Sequence, residues 1–379
     1  MASTKNITMK EYNGVDYDTL YPKTIAEQVI GLESNYYKKN EILTDSTKKL
    51  YELGNEANPD DVFVDIANRF YLISSGKSMI TITVKNTNGN PMPSVLINGI
   101  STQTEEPVYT NSQGVAQGFA KEGTVNYGIS NYADIEDISG SLVTVAGGNY
   151  KATLTVKTRN YLKVLSSTNL RFSGNVQKVD VALGGGGAGG LDGSGGGRQS
   201  KGGNGGGMGE VSKKESIIPS LKTLYPVIIG SGGNKNNNGG STSFMGISAA
   251  GGRTGQGGRG AYNTGGSSSY NGSAGESGKE TLYDSFSTTF IYGGSGGGGG
   301  ADYKNYSEKT GGDGGSPGGG NGGTVYLSAS PKGSDGKNGL GGGGGGGSGG
   351  TDRDEYDQSS DGGKGGSGCV TIRIHLLHT

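Results

Sequence analysis

The residues that could do chemistry are few, and their spacing fits no familiar reaction. His375 and His378 are the only histidines. Three positions apart on a strand they face opposite sides, so they are not placed to share a metal ion and read as an exposed tail. Cys369 is the only cysteine, so no intrachain disulfide can form. A phosphate-binding loop needs a glycine five residues before its Gly-Lys pair. The Gly-Lys pairs end at Lys77, Lys279, Lys337 and Lys364, and Tyr71, Ser273, Pro331 and Gln358 stand where that glycine belongs. A calcium-binding nonapeptide begins at Gly297, Gly298, Gly300 and Asp302, but Lys304 occupies its apolar position and no tandem copy follows. Nothing marks a nucleophile elbow. Asp352, Asp354, Glu355 and Asp357 cluster with Tyr356 in a loop between glycine runs, which suits a solvated loop or a receptor contact better than the paired carboxylates of a glycosidase. The expectation is therefore a protein without enzymatic activity, cofactor or metal.

What must position any functional residue is unusual. Of 379 residues 80 are glycine, and 66 of these fall between Gly184 and Gly368. The formal net charge of -1 comes from interspersed charges with no basic stripe, which argues against nucleic acid. The polar N-terminus has no apolar core of a signal peptide, and no stretch of about 18 apolar residues would cross a membrane. Tryptophan is absent while tyrosine numbers 21, a residue whose apolar face and polar tip suit wet adhesive surfaces.

Three regions follow from the patterning, giving a mainly β, multidomain chain. Residues 1–74 read as a small helical or mixed head. Asn58, Pro59, Asp60 and Asp61 signal a helix start, followed by Val62, Ile66 and Phe70 on one stripe, and a shorter helix is expected from Ser46 to Leu53 before Gly54. Residues 75–160 switch to period two, with Ile80, Ile82 and Val84 alternating against Thr81, Thr83 and Lys85, then turns at Asn88–Pro91 and Asn98-Gly99. Further strands are expected near Val108–Thr110, Gly114–Ala120, Val125–Ile129 and Tyr150–Val156, together a small antiparallel β-sandwich. Residues 161–379 form the glycine-rich part, bracketed by a strand ending in Val179, Val181 and Leu183 and a terminal strand of Val370, Ile372, Ile374 and Leu376.

The glycine runs lack the every-third-residue period of collagen. They are interrupted by β-forming inserts at Ile217–Ile229, Ser243–Ala250, Leu282–Tyr292 and Thr324–Ser328, which a disordered linker would not keep. Two solutions remain. One is flexible loops on a β scaffold. The other, favoured here, is a packed assembly of polyproline II strands that pair through their otherwise free backbone groups while glycine permits close approach. The entropy lost on ordering glycine opposes it and must be offset by bonding between strands.

Particular stretches resemble known families. NTNGNPMPSVLING and VYTNSQGVAQG are similar to bacterial Ig-like or carboxypeptidase-regulatory-like modules. MKEYNGVDYDTLYPKTIAEQV and STKKLYELGNEANPDDVFVDIA near the start, with YPVIIGSGG, GGSTSFMG and GGSGCVTIRIH towards the end, resemble tail-fibre or receptor-binding proteins of phages of Gram-positive bacteria and of the related R-type bacteriocins. The resemblance implies attachment to tail or baseplate proteins through a segment containing Tyr12, Tyr17, Leu20, Tyr21 and Pro22. It also implies a homotrimer on a virion or phage-tail-like particle, made in the bacterial cytoplasm, without membrane insertion. The C-terminal part would then bind a host surface protein or glycan. Its candidate contacts are Tyr262, Tyr270, Tyr303, Tyr306 and Tyr356 with Asp352 and Asp354, all set among the Gly, Ser and Asn of paratope-like loops, although some could equally pack between loops. A bacterial cell-surface adhesin and a tail-borne polysaccharide hydrolase are the alternatives.

Overall fold

The computed structural model describes residues 10–12, 17–19, 75–196, 199–259, 262–263, 271–303, 309–325, 332–351 and 359–377. These are β and extended throughout, with no helix among them. The helices expected over 46–53 and 58–71 lie outside the described residues. Of the head only a strand pair is described, Lys10–Tyr12 against Tyr17–Thr19.

Period-two alternation builds the first large unit. In Lys77–Asn86 every second residue from Ser78 is buried, so Ile80, Ile82 and Val84 enter the core while Thr81, Thr83 and Lys85 face outwards. Strands expected from the sequence are present as Pro107–Tyr109, Val115–Lys121, Gly123–Ile129 and Asn149–Val156; Ile138–Thr144 was not expected, and in place of the turn expected at Asn98-Gly99 a strand, Leu96–Ser101, runs through both residues with an irregular register where Gly99 has φ 89°. Pairing is not wholly antiparallel, because Lys77–Asn86 runs parallel to Asn149–Val156 along its other edge. The strand Leu96–Ser101 is shared, with Asn98 opposite Gly128 and Ser101 opposite Phe119. The hydrogen-bonded path bends there and folds over a common core of Ile80, Ile82, Ile97, Val125, Tyr127 and Leu154.

The second unit rests on a four-stranded antiparallel sheet, in the order Tyr161–Val164, Cys369–Leu376, Val176–Gly184, Val211–Ile217. One face packs on the short strands Tyr225–Val227, Thr242–Phe244 and Ile247–Ala249. There the rings of Phe172, Tyr225 and Phe244 meet at centroid distances of 5.9, 6.5 and 6.3 Å. The other face carries the hairpin Thr281–Tyr283 and Thr289–Ile291, which brings Leu282 and Tyr292 onto Ala182 and Cys369. The inserts at 217–229, 243–250 and 282–292 thus cover the two faces of this sheet, whereas Val325 of the fourth is bridged to Lys309.

Beyond the sheet the strands continue as glycine segments that carry few side chains yet remain bonded. Gly185, Ala188 and Leu191 donate to Glu210, Gly207 and Asn204; Gly186 and Gly189 donate to Gly240 and Asn237; Gly187, Gly190 and Gly193 donate to Gly366, Gly363 and Ser360. One segment serves three neighbours, each at every third residue. That is the period of polyproline II, whose backbone groups make no internal bonds and are free to pair outwards. Spacing between segments is too small for a side chain: a Cβ on Gly187, Gly190 or Gly193 would lie 2.1, 2.1 or 2.0 Å from the carbonyl oxygens of Gly342, Gly345 and Ser348. Glycine is therefore required here by proximity and not by a left-handed backbone.

Where the segments are not glycine, a short polar side chain accepts a neighbouring N–H. Ser295 Oγ accepts from Glu276 N at 2.7 Å, Ser334 Oγ from Asn321 N at 2.6 Å, Ser360 Oγ from Ser348 N at 2.8 Å and Asp335 Oδ1 from Lys364 N at 2.8 Å. Serine, asparagine and aspartate thus satisfy donors for which no further backbone segment is available.

Candidate functional site

The glycine segments turn back at two ends. Five short strands collect at one of them. Ser194–Gly196 pairs with Gln199–Lys201, which pairs with Tyr262–Asn263, and Ala301–Tyr303 runs parallel to Gly349–Thr351. These two groups touch one another, and the bridge between Lys309 and Val325 joins them through Gly300, which is bonded to Gly323. Every insert between glycine runs that carries a candidate contact leaves and re-enters the lattice at this level: 264–270, 304–308 and 352–358, together with 326–331.

The end so defined is far from the β module. From Asn175 the chain follows one direction through the strand Val176–Gly184 and the glycine segment to Ser194–Gly196. At about 3.3 Å per strand residue and about 3.1 Å per polyproline II residue this path spans roughly 60–65 Å.

Of the contacts expected from the sequence, Tyr262 and Tyr303 are described through their backbones, paired with Lys201 and Thr351. Tyr270, Tyr306, Asp352, Asp354 and Tyr356 lie outside the described residues. The same holds for Leu20, Tyr21 and Pro22, while Tyr12 and Tyr17 are opposite one another in the N-terminal strand pair. The structure thus brings together the bases of the candidate loops, which the sequence alone could not place side by side.

A charged clip lies just below this end. Asp192 Oδ1 accepts from Gly362 N at 2.9 Å, its Oδ2 accepts from Asn236 Nδ2 at 2.7 Å, and Asn236 Oδ1 accepts from Asp192 N. Lys235 Nζ stands 2.6 Å from Asp361 and 3.6 Å from Asp192. Partial burial pushes the Asp192 carboxyl upward, but the Gly362 and Asn236 donors and the Lys235 ammonium outweigh it and hold it below the usual carboxylate range. The clip ties the segment after Gly184, the turn at 234–237 and the returning segment 359–368.

His375 departs from the sequence reading. Instead of an exposed tail, its Nε2 lies 2.8 Å from Asp180 Oδ2 across the sheet, with the Phe286 ring edge-on at 5.0 Å. Burial raises the Asp180 carboxyl, yet the His375 and Ser216 N–H bonds more than reverse this and hold it low. His378 is outside the described residues. No sequence signal could have linked residues 195 positions apart. Cys369 is buried beneath Tyr292, and that burial pushes its thiol up to about 12. Among the described residues no group of three or more His, Cys, Asp or Glu side chains could hold a metal ion.

A family model described as a glycine-rich domain matches residues 164–375. No curated protein matches this chain. Two solved structures are similar in part. A DUF3823 family protein from Parabacteroides merdae is 10% identical over 40% of this chain and 89% of its own, with a TM-score of 0.19. A DUF3823 family protein from Bacteroides ovatus is 13% identical over 49% of this chain and 97% of its own, also at 0.19. A TM-score this low supports no argument from either.

Proposed function

This chain belongs to the glycine-rich domain family, and from that premise we propose that it is a non-enzymatic attachment protein whose glycine lattice presents a recognition tip. The observation that carries this reading is that the described residues flanking the tyrosine- and aspartate-bearing inserts come together at one end of the lattice, the end remote from the β module. The lattice itself offers few side chains to a partner, so discrimination falls to those inserts. Their Tyr, Ser, Gly, Asn and Asp composition is that of adaptable polar contact surfaces built around aromatic anchors.

The resemblance to phage and bacteriocin tail fibres supplies the setting. The N-terminal part would join tail or baseplate proteins, the β module would act as a spacer, and the tip would meet a protein or glycan of the host surface. A homotrimer would present three tips, and several weak contacts would combine through effective concentration.

The test replaces 264–270, 304–308 and 352–358 together by Gly-Ser sequences of equal length in the full chain. Adsorption of the variant to host cells should fall at least about tenfold while thermal melting stays that of the parent. Undiminished adsorption with parent-like melting would refute the tip assignment.

A further inference from the structure

The joint between the two units is built from groups that a simple spacer would not need. Residues 131–135 of the β module reach across to 171–175 of the glycine-rich unit. Arg171 N donates to Asn131 O at 2.8 Å, and Ala133 N donates to Arg171 O at 2.9 Å. Gly174 N donates to Pro93 O at 2.7 Å, and a Cβ on Gly174 would come within 2.9 Å of the Pro93 ring. The Ala133 side chain is packed in the core of the other unit, among Phe172 and its neighbours.

At the centre lies Asp134, with no exposed surface. Ser173 N donates to its Oδ1 at 3.1 Å and Ser173 Oγ to its Oδ2. The connecting residues 157–160 are fixed as well. Glu136 N donates to Lys157 O, Arg159 N to Asp134 O, and Ile374 N to Asn160 O. The Arg159 guanidinium donates through Nη2 to the carbonyls of Tyr132 and Ile135. The sequence Lys157-Thr158-Arg159-Asn160 contains none of the glycine, serine or proline of a flexible connector.

We propose that Asp134 and Ser173 form a latch that makes the β module and the glycine-rich unit one stiff lever, so that a force at the far end reaches the β module without hinging at 157–160. A carboxylate is buried at a cost unless its oxygens are bonded, and here both are engaged by one residue of the opposite unit. The latch does not depend on what the tip binds.

Trypsin reads the joint directly, since Lys157, Arg159 and Arg171 all lie in it. In the full chain, Asp134→Ala should raise cleavage after these three residues at least about tenfold through local opening. Hydrogen-exchange protection of Lys77–Asn86 and Cys369–Leu376 should stay at the parent level. Asp134→Asn keeps an acceptor for Ser173 N and should remain within about twofold of the parent, and Ser173→Ala, which keeps its N–H, should be intermediate. Cleavage of Asp134→Ala at the parent rate overturns the latch, and so does loss of protection in both units together, which would make Asp134 a residue of the global fold. Should Asp134→Ala fail to fold, Ser173→Ala decides: parent-rate cleavage refutes the proposal, and faster cleavage confined to the joint supports it.

Discussion

Gly296→Ala tests whether the lattice is as tight as its backbone bonds imply. Gly296 is buried; its N–H donates to Gly206 O at 2.9 Å and its carbonyl accepts from Gly258 N at 2.7 Å. A Cβ there would sit 2.0 Å from Gly344 O, where 3.4 Å begins ordinary contact, so the two segments must part by about 1.4 Å. They are held together by Gly343 N on Gly294 O at 3.0 Å and Gly346 N on Gly297 O at 2.9 Å, while Gly206 N holds Gly344 O at 2.8 Å. Lengthening bonds of this kind by that amount takes them beyond hydrogen-bonding distance. Two or three lost bonds that leave buried groups unpaired cost ~1–3 kcal/mol each. Alanine returns at most ~1 kcal/mol by restricting the unfolded chain. At a central ~2 kcal/mol for each of two or three bonds the net destabilisation is about 3–5 kcal/mol, and at ~2–4 °C per kcal/mol for a unit of this size the melting transition of the glycine-rich unit falls by roughly 6–20 °C. Differential scanning calorimetry of the full chain measures it. The control is Gly246→Asn, at a hairpin turn with φ +74 and nothing within 4 Å, which asparagine tolerates. A Gly296→Ala protein that melts within ~2 °C of the parent would refute the close-packed lattice.

Tyr292→Phe removes the hydroxyl that donates to Gly185 O at 2.7 Å in a buried setting; a loss of ~1–2 kcal/mol is expected by denaturant titration. Asp180 and Asp192 have folded pKa values below their unfolded ones. Their stabilisation is present above the unfolded carboxylate pKa near ~3.9 and is lost as pH falls through the folded values, so Asp192→Asn should flatten the acid limb of a melting-versus-pH curve. Asp134 has the opposite sign. Burial raises its carboxyl, so the cost of ionising it is complete above the folded pKa, shrinks as pH falls below that value and is gone only below the unfolded pKa; Asp134→Asn should therefore melt no lower than the parent at neutral pH. Cys369 should resist a thiol reagent in the folded chain and react on unfolding, with the labelling rate tracking the melt.

Local physics made part of this legible in the sequence. The alternation at Ile80, Ile82 and Val84 marks a strand with one buried face, and that at Val370, Ile372 and Ile374 marks a second, although there Cys369 and Thr371 on the opposite face are buried as well. The strand Ile138–Thr144 is hidden because Gly140 interrupts the inward face that Ile138, Leu142 and Thr144 form, while Val143 is exposed on the other face beside Ser139 and Ser141. Composition and the bracketing strands suggest a lattice, but not which segment neighbours which, since glycine carries no side chain to encode a partner. The tyrosines could be singled out by the company they keep. That their inserts share one end depends on pairings such as Lys201 with Tyr262 and Tyr303 with Thr351. The hydrogen bond of His375 to Asp180 and the entry of Ala133 into the other core are equally long-range.

The three-way bonding of each glycine segment restricts how this part of the gene can change length. Removing one residue from the run Gly185–Gly193 turns every later N–H by about 120°. Groups aimed at the returning segment 204–210 would then meet the segment at 237–240 or 360–366, with oxygens at the wrong height. Three residues restore the aim, provided the neighbours lengthen with them. Insertions and deletions should therefore accumulate where the chain has already left the lattice, and runs inside it should vary in steps of three. The frame holds its reading phase as strictly as a codon does, while the loops at its end are free to drift.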